Sequence, residues 1–252
     1  MVIAMPLVLL PPVGLDERCW DWLDLKVPAV RHVYPGLGRR PRDGRPELGS
    51  TGDLDTWADE VARLGDGEPL DLVGISMGSM VAQHLAVRHP DRVNSLLLAC
   101  TGGSADPATA LARAAAAEAG GMTGVLDSTL QRWFTEAALA AVPEHPGVAY
   151  ARATLLALDP ASWTAGWRAI ARHDVLAALG AVTAPATVVG GLRDQSAPPE
   201  RVRRLAAAIP GARLEMLDGP HMIHLENPAA FSAVLAAHLD EHGLPGSATA
   251  SR

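Results

Sequence analysis

The chain has 252 residues, 48% hydrophobic and 19% charged, with a formal net charge of −7. This is the composition of an ordinary globular protein with ample core for one large domain or two small ones, and the acidic balance argues against a nucleic-acid binder, which needs a basic face. The two cysteines, Cys19 and Cys100, lie in apolar surroundings at no metal or redox spacing, so unpaired core thiols in a reducing cytoplasm are expected.

Residues 1–10 are apolar but lack a basic leading segment and a small-residue cleavage site, so they read as a buried strand and not as a signal peptide. No apolar run is long enough for a membrane span, and no membrane partner is expected. Strands are expected at Leu7–Leu10, 29–34, 70–74, Val93–Ala99, 186–190 and Arg213–Leu217. Their continuously apolar character suits parallel strands covered on both faces. Between them Leu54, Trp57, Ala58, Val61 and Leu64 recur at helical spacing. A helix follows Ser76 and stops at Pro90, and 202–209 and 229–239 supply two more. The alternation predicts a doubly wound, mostly parallel α/β sheet.

Residues 104–179 break the rhythm with an alanine-rich helical pattern, cut by Gly120-Gly121, Pro143, Pro146 and Pro160. They are expected to form a helical cap over a core made of 1–103 and 180–242, while 243–252 reads as a disordered tail. Most of the cap's aromatics, Trp133, Phe134, Tyr150, Trp163 and Trp167, serve as its own core, with at least one facing a pocket. Trp163 is expected to be such a residue.

The stretch that carries chemistry is Gly74-Ile75-Ser76-Met77-Gly78, a G-x-S-x-G sequence between a strand and a helix. Such a turn lifts the serine hydroxyl above the sheet and aims the first amides of the helix at the same point. Gly74 lets strand and helix approach closely, and Gly78 lets the backbone pass near a substrate. A serine nucleophile needs a base, and the base needs an orienting acid. Strand ends later in the chain offer Asp194, after Gly190-Gly191-Leu192-Arg193, and His221, after Asp218-Gly219-Pro220. Asp218 is a rival acid and His224 a rival base. His84, His89, His145 and His173 read as surface or packing residues. The oxyanion donors are expected to be the amides of Val13 and Met77, because Pro11 and Pro12 have no N–H. No metal or phosphate-binding pattern is present, and no cofactor is expected.

With these motifs in place, and with Gly219-Pro220-His221-Met222-Ile223-His224 added, the chain resembles the α/β-hydrolase superfamily over nearly its whole length. Within it, residues 74–90 and Arg132-Trp133-Phe134 look like the 3-oxoadipate enol-lactonases and their relatives. The resemblance implies a lid in which Arg132 meets a substrate carboxylate and Trp133 packs on its ring, or else a surface arginine beside core aromatics. Two features depart from it: there is no room for the usual hairpin before the first strand, and Ser79 replaces a common glycine. The expected activity is hydrolysis of a small lactone or carboxylic ester through an acyl-enzyme, by a monomer or homodimer. A thioesterase, a cofactor-free lyase, cyclase or isomerase, and a binding protein on a retired scaffold are the alternatives.

Overall fold

The computed structural model describes residues 6–34, 37 and 52–243. Six strands form one sheet: β1 (Leu7–Leu10), β2 (Ala29–Arg31), β3 (Leu70–Ile75), β4 (Val93–Ala99), β5 (Ala186–Gly191) and β6 (Arg213–Leu217). Every pairing is parallel and the order is β2-β1-β3-β4-β5-β6. All residues of β1, β3 and β5 are buried, as apolar strands covered on both faces must be. Removing each leucine of β1 from water contributes about 2 kcal/mol.

The strand expected over 29–34 ends early, at Arg31. Its neighbour among the described residues, β1, stops at Leu10, where Pro11 and Pro12 have no N–H for the ladder. Residues 1–5, and the tail beyond Gly243, lie outside the described residues. Among the described residues the sheet holds no antiparallel pair.

The helices are α1 (Leu54–Val61), α2 (Met77–Arg88), α3 (Pro107–Trp133), α4 (Glu136–Leu139), α5 (Pro146–Ala157), α6 (Pro160–Ile170), α7 (Pro199–Ala208), α8 (Ile223–Glu226) and α9 (Pro228–His242). Side-chain alternation assigns three of them to faces of the sheet. Gly74 and Val188 are both in register with Leu98, so Gly74, Val188 and Gly190 point the same way. A Cβ on Gly74 would meet Gly78 of α2, and one on Gly190 would meet Val202 of α7. Ser95 and Thr187 point to the other face, where they hydrogen-bond with His238 of α9 at 3.2 and 2.9 Å. The sheet is doubly wound.

Between β4 and β5 the chain is helical, α3 to α6, apart from one isolated bridge between Ser104 and Asp174. Gly121, at φ +63, interrupts α3 where Gly120-Gly121 predicted a cut. The long helix packs on α6, with Trp133 and Trp163 rings 6.3 Å apart and an Arg168–Glu118 ion pair at 2.6 Å. Two of the histidines read as surface or packing residues, His84 and His173, are buried and linked to each other. Asp55 of α1 meets His84 Nδ1 at 2.6 Å, His84 Nε2 meets His173 Nδ1 at 3.1 Å, and His173 Nε2 donates to the Gly102 carbonyl at 3.0 Å. This chain pins the loop after β4 to the helices beside it.

Candidate active site

β3 ends at Ile75 and α2 begins at Met77, so Ser76 alone makes the turn. Its backbone lies at φ +53 and ψ −115, a conformation that costs a residue with a side chain about 1–3 kcal/mol. Two hydrogen bonds hold it there: Ser76 N–H donates to the Ala99 carbonyl at 2.9 Å, and its own carbonyl accepts from Met80 N–H at 3.1 Å. A Cβ on Gly74 would stand 2.5 Å from Gly78 C and Ser79 N, so the first glycine admits the helix, as expected. Gly78 has a packing task. A Cβ there would lie 2.0 Å from the Leu10 carbonyl oxygen, so it lets α2 cross the end of β1. Ser79, the departure from the usual glycine, spends its hydroxyl on β4, donating to Ala99 O at 3.0 Å and accepting from Ala99 N–H at 2.9 Å.

The residues picked from three strand ends come together. His221 Nε2 lies 3.1 Å from Ser76 Oγ, and His221 Nδ1 lies 2.8 Å from Asp194 Oδ2. The other carboxylate oxygen of Asp194 accepts from the amides of Ser196 and Ala197 at 2.7 and 2.8 Å. Those two amides fix the carboxylate plane. With Asp194 accepting from Nδ1–H, Nε2 is left as the acceptor facing the serine hydroxyl. The rivals stand elsewhere. Asp218 is 76% exposed in its side chain and pairs with Arg193 at 2.9 Å. His224 is fully buried between Trp20 and Phe231, and among the described residues neither ring nitrogen has a partner. Burial first, and then the neighbouring His221, push its pKa down to about 3.

Val13 and Met77 are both buried, and among the described residues neither amide donates a hydrogen bond. Gly166 of α6 closes over them: a Cβ there would be 2.7 Å from Val13 Cγ2 and 3.8 Å from Met77 Sδ. Gly14, at φ +83, is covered by Trp163, whose ring a Cβ would meet at 2.6 Å.

Two cavities flank this point. One, of about 500 Å³, is walled by residues 11–18, by His32 to Tyr34 and by Met77, and it does not reach Ser76. The other, of about 260 Å³, contains Ser76 and His221 in its wall, with Arg113 of α3, Trp167 of α6 and Arg201 of α7 around it. Residues of α3 and α6 therefore share a cavity wall with the serine.

The structure places Arg132, Trp133 and Trp163 outside the wall of either cavity. Arg132 donates to the Ser128 carbonyl at 2.6 Å and to Thr129 Oγ1 at 3.2 Å. Trp133 and Trp163 are 2% and 1% exposed and pack in the helical layer. Trp133 also acts through its backbone, where its carbonyl accepts from Met222 N–H at 3.0 Å, beside His221. Thr135 adds a second tie, its N–H and hydroxyl both donating to Glu226 of α8, at 3.0 and 2.6 Å.

Sequence reasoning missed Trp167 as a cavity residue, along with Arg113, Arg201 and Cys100. Cys100 sits at φ +52, buried at the end of β4. Its sulfur, the Asp194 carboxylate and the His221 ring lie within 4.8 Å of one another. Such a donor set suits a metal only if the thiol ionises. Burial and the adjacent Asp194 push that thiol well above its usual range, and Asp194 already serves His221 and two amides. The set is a poor fit for a resident ion.

A doubly wound parallel sheet that raises a strained serine at a strand–helix turn, with a histidine and an acid at later strand ends, defines an architecture. The family model for the alpha/beta hydrolase fold matches residues 34–228, and the chain belongs to that family. It is similar to a polyketide synthase, ThaQ, of Burkholderia thailandensis, at 31% identity over 84% of this chain and 10% of that protein. It is also similar to 3-oxoadipate enol-lactonase 2 of Acinetobacter baylyi, at 30% identity over 65% of this chain and 61% of the relative. The chain thus spans a tenth of the first and three fifths of the second. A pimeloyl-[acyl-carrier protein] methyl ester esterase of Aromatoleum aromaticum is 32% identical over 88% of this chain and 94% of its own. Among solved structures, the enol-lactonase of Burkholderia xenovorans LB400 superimposes with a TM-score of 0.83 at 27% identity, covering 94% of this chain and 91% of that one.

Proposed function

We propose that the protein is a serine hydrolase that cleaves a small carboxylic ester or lactone through an acyl-enzyme on Ser76. The observation that carries this reading is the unbroken hydrogen-bonded line from Ser76 Oγ through His221 to Asp194, at 3.1 and 2.8 Å. His221 Nε2 takes the hydroxyl proton as Oγ attacks the carbonyl carbon. The oxyanion that forms is met by the amides of Val13 and Met77, each such donor being worth about 10²–10³ in rate. As the C–O bond breaks, the imidazolium returns the proton to the leaving alkoxide, which in a lactone stays attached to the acyl chain. Water then attacks the acyl-enzyme, gives its proton to His221, and the acid leaves as Oγ is reprotonated. Asp194 keeps the imidazole in the required tautomer and stabilises its charged form.

A chamber of about 260 Å³ favours a small acyl group. Similarity to an esterase and to enol-lactonases supports the same class of bond. The residues 104–179 act in this reading as a cap domain whose helices exclude water from the serine. The test is labelling with a fluorophosphonate, followed by turnover of a panel of short esters, lactones and acyl-thioesters. The folded protein should take up one label, lost on boiling and in Ser76→Ala. Full turnover by Ser76→Ala would refute the mechanism.

A further inference from the structure

The chamber beside Ser76 carries more positive charge than its walls neutralise. Arg113 rises from the first half of α3 and lays its guanidinium over the Trp167 ring, 4.6 Å from the centroid. Arg201, on α7 across the cavity, donates from one Nη to the Ser104 carbonyl at 2.5 Å. Among the described residues neither guanidinium has a carboxylate within 4.0 Å, whereas Arg18, Arg88 and Arg168 all do. The acids nearby are already engaged. Asp106, exposed at the mouth, accepts from Thr109 and from the Ala108 amide, and it still lies within electrostatic reach of Arg201. Asp194 is committed to His221 and the amides of Ser196 and Ala197.

Burial, with repulsion from Arg132 and Arg201, pushes Arg113 down to about 10, so it stays charged near neutrality. Holding a half-buried cation without a counter-ion is costly. A ring stacked under the guanidinium fixes its plane while leaving its N–H edges free. Two further polar atoms of wall residues, Trp167 Nε1 and Ser196 Oγ, have no hydrogen-bond partner among the described residues. Donors outnumber acidic acceptors in this wall, where Asp106 at the mouth is the carboxylate.

We propose that Arg113 and Arg201 form an anion subsite, selecting substrates that carry a carboxylate or phosphate at a distance from the bond cleaved at Ser76. This rests on the hydrolase reading and adds the class of substrate to it. The position is set by geometry: the chamber lined by Ser76 and His221 is also lined by Arg113 and Arg201, so the reacting bond and the anion would share one small cavity.

The experiment compares kcat/KM within matched pairs. The carboxylate arm uses the monomethyl ester of a short dicarboxylic acid against the methyl ester of the monoacid of equal chain length. The phosphate arm uses an acetyl thioester of phosphopantetheine against that of pantetheine. The anionic member of at least one pair should be preferred by about 10- to 100-fold, the worth of one or two charge-assisted hydrogen bonds. The arm that shows the preference identifies the source of the anion. In Arg113→Met and Arg201→Met that ratio should fall toward one, and in Arg113→Lys it should fall only in part. Taking the ratio within each variant cancels any loss of folded enzyme. Turnover of the neutral members with ratios near one in both pairs would overturn the subsite and leave the hydrolase reading standing. A preference that survives both methionine variants would overturn the assignment to these residues. No turnover together with no fluorophosphonate label would remove the hydrolase reading, and the subsite with it.

Discussion

His224 should make the protein sensitive to mild acid. The ring is fully buried and unpartnered, three residues from His221. It takes a proton at 6.5 in an unfolded chain but only at about 3 in this fold. Between those values the unfolded state binds the extra proton, so stability is intact above the unfolded value and falls as pH drops below it. At about pH 5 the protein has passed roughly 1.5 units below the unfolded value, or about 2 kcal/mol lost relative to pH 8. That is a large part of a net stability of about 5–15 kcal/mol. Urea unfolding at both pH values, for the wild type and for His224→Leu, isolates this one ring. His173 and His238, each held down to about 4 by burial, remain in both proteins and cancel. The loss between the two pH values should be about 2 kcal/mol smaller in the variant. An equal loss in both proteins would refute the reasoning, whatever leucine does to absolute stability.

Three further outcomes follow from the elbow and the two candidate acids. Gly78→Ala should leave little folded, active protein, because its Cβ would lie 2.0 Å from the Leu10 carbonyl; a thermal melt beside turnover checks this, and near-native values would contradict it. Under the proposed mechanism Asp194→Asn should lower kcat by about 10⁴, through the wrong His221 tautomer. Asp218→Asn, at an exposed pair with Arg193, should change kcat less than twofold, by roughly the worth of a surface ion pair or less. Steady-state kinetics on one ester decides between the two acids.

How far the site could be read in advance depended on whether its parts were local. Ser76 announces itself because strand, glycine, serine, glycine and helix are contiguous, and a turn of that tightness tolerates few other residues. Asp194 and His221 follow from strand ends and their order along the chain. The helices between β4 and β5 were different. Trp133, Trp163 and Trp167 look alike in sequence, each an indole on an alanine-rich helix. Which of them meets the cavity depends on how α3 and α6 rotate against each other, and nothing local encodes that. Arg113 was invisible for the same reason: one arginine in an exposed helical pattern becomes a cavity residue only once α6 supplies the ring beneath it. His84 and His173 are far apart in sequence, and their mutual bond appears only when α2 and the end of α6 meet.

The sequence by itself determined the parallel sheet, the elbow and the set of residues able to line up on it, because apolar periodicity and tight turns are short-range constraints. Tertiary structure decided what closes over Ser76. It placed Gly78 against Leu10, gave the Trp133 carbonyl to Met222, and put Arg113 and Arg201 in the wall of one chamber, neither with a carboxylate within 4.0 Å among the described residues. Those outcomes turn on distances between segments far apart in the chain, where packing of whole helices sets which atoms touch.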